Sequence, residues 1–135
     1  MAGLDSMFRM AGAGNEWDKS YLRLFDQPGW QDAKAAIKRL AAYCRQHAIK
    51  LVIVNWPELH DVQHYRLGHV TQLIQDLATE EHAPFVDLLN AVKDQDSSTL
   101  WVTAPDPHPN GYANGLYAKY LFPILNGILP PPSGS

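Results

Sequence analysis

"IKLVIVNWPELH", residues 49 to 60, decides how this chain folds. Leu51, Val52, Ile53 and Val54 follow one another without a polar interruption, and three of them are β-branched. An apolar run of strand length with no alternation is the mark of a strand covered on both faces, as in parallel sheets flanked by helices. Pro57, which has no N–H to give a ladder, ends it.

Working outward, the apolar positions Ala33, Ile37, Leu40, Ala41 and Cys44 recur at three- and four-residue steps between Gln31 and His47. That spacing predicts an amphipathic helix before the strand. After Pro57 a second helix is expected from Asp61 or Val62 to Glu81, with Val70, Leu73, Ile74, Leu77 and Ala78 as its stripe. "APFVDLL", residues 83 to 89, offers a second strand with Asp87 at its carboxyl end, and a last helix is expected from Asn110 to Leu121. Helices alternating with strands predict an α/β fold, with parallel strands joined by helical crossovers. Two strands leave a parallel sheet with uncovered edges. Further strands are therefore expected from the N-terminal segment, from "TLWVT" at residues 99 to 103, or from another copy of the chain.

The 135 residues suit one domain, expected over residues 15–129. Residues 1–14, "MAGLDSMFRMAGAG", read as a loose leader, and residues 15–30 as a short helix or packed arm closed by Pro28-Gly29. Residues 130–135, "PPPSGS" with its prolines, read as a disordered tail. The net charge of -3 gives no general attraction to nucleic acid or anionic lipid. No apolar run approaches the ~18 residues needed to cross a bilayer, and the start lacks a signal-peptide layout, so the chain reads as soluble and untargeted. The single Cys44 cannot form an intrachain disulfide and reads as a small buried hydrophobe.

Polar residues just beyond the carboxyl ends of strands are where open α/β sheets collect ligands. Asn55, Glu58 and His60 stand there, as does Asp87, and Asp106-Pro107-His108-Pro109-Asn110 stands before the last helix. A histidine beside a carboxylate has its tautomer fixed and its imidazolium stabilised, as a general base serving a hydroxyl nucleophile requires. The prolines hold that segment extended, and Asn110 can cap the helix that follows.

"DPHPNGYANGLYAKYL", residues 106 to 121, resembles the C-terminal motif of the SGNH (GDSL-like) hydrolases. The likeness continues upstream through "LVIVNWPE" and "PFVDLLNAV", from about Trp17 to Leu129. The resemblance implies a three-layer, flavodoxin-like sheet and hydrolysis of a small ester, such as an acyl group on a carbohydrate or lipid. It implies no metal or organic cofactor. His108 would be the general base and Asp106 its orienting carboxylate, with Asn55, Glu58, His60 and Asn110 lining the cleft. Only Pro107 separates Asp106 from His108, where many members have two residues. The Gly-Asp-Ser nucleophile motif of the family is missing; "GLDS" at residues 3 to 6 makes Ser6 the nearest candidate. The chain therefore resembles the C-terminal half of such an enzyme, either truncated or divergent.

Two other readings stay open. His60 and His64 are four apart, which on a helix would set two imidazoles on one face as in His-Glu-x-x-His zinc sites, with a solvated helix face as the plainer account. An uncovered sheet edge would let a non-catalytic domain pair with another copy of itself or with a missing partner.

Overall fold

A computed structural model of the protein describes residues 27–129 and Arg23. The leader at 1–14, most of the expected arm and the tail at 130–135 lie outside the described residues. The chain divides into two units, residues 1–39 and 40–135. The described part of the first is Arg23, Gln27 and the start of α1 (Pro28–Gln46), whose later residues belong to the second unit.

In the second unit the order is the rest of α1, β1 (Ile53–Asn55), α2 (Gly68–Glu80), β2 (Phe85–Asp87), α3 (Leu89–Val92), a 3-10 turn (Ser97–Thr99), β3 (Trp101–Thr103), β4 (Asp106–Pro109) and α4 (Gly111–Ile128). The class is α/β: β1 and β2 pair in parallel, Ile53 against Phe85, Val54 against Val86 and Asn55 against Asp87, with α2 in the connection. Leu59, Val62, Val86, Leu88, Val92, Leu100, Ala113 and Tyr117 form one buried cluster, with Val52, Val54 and Trp101 packed on it.

The two strands are launched by the same device. After α1, Ala48 turns to φ 55, its N–H reaching the Arg45 carbonyl and that of Ile49 the Cys44 carbonyl. After α2, His82 turns to φ 54, its N–H reaching the Thr79 carbonyl and that of Ala83 the Ala78 carbonyl. Each is a left-handed cap that satisfies the last helical carbonyls, built here without glycine. Arg45 ties the two caps together, its guanidinium donating to the Glu81 carbonyl at 3.1 Å and to the Glu81 carboxylate at 3.0 Å. Cys44 is buried here, as its helical position predicts. Leu40, expected on the same stripe, is exposed instead: the neighbouring Ala41 faces inward, and consecutive helical residues point in different directions.

Three expectations are corrected. The second helix begins at Gly68, not at Asp61 or Val62. Leu59, Val62 and Leu67 are all buried, and this stretch buries them by turning: Asp61 Oδ1 accepts the His64 N–H at 2.9 Å, while Ser97 Oγ accepts that of Val62 at 3.0 Å. Such local side-chain bonds compete with the helical ladder. "TLWVT" does supply a strand, but β3 pairs antiparallel with β4 in a separate bulged ribbon, Trp101 against Pro109 and Thr103 against Asp106. Its partner is the segment two residues away across a tight turn, so no long loop has to close. The last helix runs past Leu121 and through Pro123 to Ile128. Leu121 and Ile124 pack on the core from both sides of the proline, burial that offsets the missing hydrogen bond.

Candidate active site

The resemblance places its base on β4. His108 Nδ1 and Asp106 Oδ1 are 2.5 Å apart, and the same oxygen accepts the His108 backbone N–H at 3.2 Å. These bonds, the side-chain one foremost, hold the Asp106 carboxyl below its ordinary pKa. The pair is open to water, with the His108 side chain 84% and that of Asp106 47% exposed.

Asn110 holds this ribbon to α4. Its side-chain oxygen accepts the Ala113 N–H at 2.9 Å, the cap its position predicts, and its amide group donates to the carbonyls of Thr99 and Trp101, each at 2.9 Å. Both amide hydrogens are thereby engaged with the backbone of the 3-10 turn and β3. Asn110, expected at the cleft, thus joins the start of α4 to the 3-10 turn and β3 directly after the histidine-bearing strand.

At the carboxyl ends of β1 and β2, the paired Asn55 and Asp87 meet side chain to side chain: Asn55 Nδ2 donates to Asp87 Oδ1 at 3.3 Å and lies 3.4 Å from Thr71 Oγ1. Asp87 Oδ1 also accepts the Leu89 N–H at 3.1 Å, which starts α3. Two tyrosines close this end. Tyr65 accepts the Glu58 N–H at 3.3 Å, and burial raises its phenol above the ordinary pKa. Tyr117 is buried with its hydroxyl unpartnered; burial, and secondarily Tyr65, push its pKa up to about 12. Trp56 stands edge-on to Tyr117, ring centroids 6.3 Å apart.

Glu58 and His60 form a second carboxylate–histidine pair. Glu58 Oε1 contacts His60 Nδ1, and Oε2 accepts the His60 N–H at 2.9 Å. Trp101 donates its indole N–H to the Leu59 carbonyl at 2.8 Å, with its ring centroid 6.2 Å from that of His60. His64 pairs separately with Asp61 at 3.3 Å. Because α2 starts only at Gly68, His60 and His64 never share a helix face, and no group of three or more His, Cys, Asp or Glu among the described residues is placed to hold a metal ion.

Ser6 and Ser20 lie outside the described residues. The hydroxyl of Ser97 accepts from Val62, 35 residues away, and that of Ser98 donates to Asp96 at 2.8 Å, so both are engaged in holding the fold. Sequence reasoning missed Tyr65 and Thr71 as parts of the strand-end cluster, and the Trp101 indole as the donor to the Leu59 carbonyl. Their roles depend on partners far along the chain. Among the described residues no helix is long and apolar enough to cross a membrane. Comparison with protein families, curated proteins and solved structures finds no match.

Proposed function

We propose that the chain carries the His-Asp part of an SGNH-like ester hydrolase, in a truncated or divergent form that lacks the Gly-Asp-Ser motif, with β1 and β2 as part of a three-layer, flavodoxin-like sheet. The observation that carries this reading is the 2.5 Å contact between Asp106 and a solvent-accessible His108, in a stretch resembling the base motif of that family. Asp106 fixes the ring with Nδ1 protonated, leaving Nε2 to act. A serine, for which Ser6 is the nearest candidate in this chain, attacks the acyl carbon as His108 takes its proton; His108 then returns the proton to the departing alcohol oxygen, and water resolves the acyl-serine. The substrate is a small ester or an acylated carbohydrate or lipid, and the reaction uses no cofactor.

The test is covalent capture of a serine by a fluorophosphonate on the full chain. Labelling that is lost in His108→Ala and reduced in Asp106→Asn is the expected result; no labelled serine, or labelling indifferent to His108, overturns the reading. A second reading, self-association, draws on the parallel sheet having only two strands among the described residues. A monomeric solution mass would remove it.

A further inference from the structure

Of the two carboxylate-x-histidine pairs seen in contact among the described residues, the one the sequence motif singles out is the more loosely built. Asp106 and His108 stand on a short, bulged ribbon, and both side chains face water over much of their surface. Glu58-Leu59-His60 is held at every position. Leu59 is buried, its carbonyl is fixed by the Trp101 indole, the Glu58 N–H by the Tyr65 hydroxyl, and the His60 N–H by Glu58 itself. The Glu58 side chain is 19% exposed and that of His60 44%, so the carboxylate is shielded while the ring stays within reach of solvent. A shielded carboxylate acts on its partner through a lower effective dielectric, and a preorganised pair reorganises little during proton transfer. The tripeptide also begins just past the carboxyl end of β1, where ligands of open α/β sheets gather.

We propose that Glu58 and His60 form a second proton-transfer pair that activates water against small esters independently of Asp106 and His108. The choice of ester as substrate rests on the hydrolase reading above; the pair itself does not. Glu58 keeps Nδ1 protonated, and His60 Nε2 takes one proton of a water as its oxygen bonds to the acyl carbon. The bond from that carbon to the alcohol oxygen breaks, and the imidazolium returns the proton to the alcohol. One ester and one water give one acid and one alcohol.

The experiment measures p-nitrophenyl acetate hydrolysis by the full chain and by His108→Ala, His60→Ala, Glu58→Gln and the double His60/His108 alanine variant, near neutral pH. The expected result is a rate in His108→Ala above buffer that falls at least about a hundredfold when His60 is also removed, the lower end of the range of general-base contributions. Glu58→Gln, which keeps the side-chain size, carries the same direction and guards against misfolding of His60→Ala. His64→Ala, which removes a more exposed histidine, leaves the rate unchanged. Nitrogen NMR of the ring adds a readout free of catalysis: His60 holds a single Nδ1–H tautomer that becomes mixed in Glu58→Gln. Full hydrolysis without His60, no hydrolysis by any of the proteins, or a tautomer indifferent to Glu58 overturns the proposal. His108-dependent fluorophosphonate labelling persisting in those cases would leave the serine hydrolase reading standing, whereas its absence beside a His60-dependent rate would overturn only that reading.

Discussion

Replacing Asn110 separates two jobs that one side chain performs. Its oxygen caps α4 through the Ala113 N–H, and its amide group ties down the carbonyls of Thr99 and Trp101. An N-cap is worth about 1 kcal/mol, and each net hydrogen bond about 0.5–1.5 kcal/mol. Asn110→Ala removes all three and is expected to destabilise by about 2–4 kcal/mol. Asn110→Ser keeps a good cap but cannot span to either carbonyl, so it should lose only the ties, about 1–3 kcal/mol. Urea unfolding with an unchanged m-value reads both. The same substitutions should raise amide exchange at the Asn110 N–H, which donates to the Leu100 carbonyl. An Asn110→Ser variant as stable as the unaltered chain would refute the reasoning: the ties would then contribute nothing, and Asn110 would be a cap alone.

Tyr117→Phe removes a buried hydroxyl that has no partner. It should leave stability equal or raise it by up to about 1 kcal/mol in thermal unfolding, and a clear loss would mean that the hydroxyl donates to an ordered water. The folded-state pKa of Tyr117, about 12, lies above the ordinary tyrosine value, so its contribution is intact below pH about 10 and fades as pH rises through 10–12; alkaline unfolding should be shallower in the Phe variant. Asp106 is shifted the other way: its contribution is present above the ordinary carboxyl range and lost as pH falls through its depressed value. Carbon NMR should show it titrating below the ordinary aspartate value and moving up in His108→Ala; no movement would separate the pair. Ala48→Gly relieves a left-handed alanine at a helix cap and should stabilise by about 0.5–1 kcal/mol, whereas a loss would show that Ala48 is not strained. Leu88→Ala, at a fully buried site, should cost about 2–5 kcal/mol in urea unfolding.

The cap at Asn110 and the parallel pairing of β1 with β2 were legible in the sequence because each rests on local chemistry. An asparagine before a helical run can reach only the first N–H groups of that helix. An unbroken β-branched run between two amphipathic stretches has one economical place, between layers. The start of α2 was not legible. Helical periodicity runs back to Asp61, but Ser97, on a different segment, takes the Val62 N–H and helps turn the chain aside.

What the sequence by itself determined is the α/β class, the two parallel strands and the adjacency of Asp106 and His108, all set by residues within a few positions of one another. Tertiary structure alone decided that β3 pairs antiparallel with β4 apart from the parallel sheet, that His60 and His64 face separate carboxylates, and that Glu58-Leu59-His60 is the more rigidly held histidine pair. The hydrogen bond that fixes that tripeptide comes from Trp101, 42 residues further on. Spacing records neighbours along the chain; a contact across 42 residues exists only once the core has brought both ends of it together.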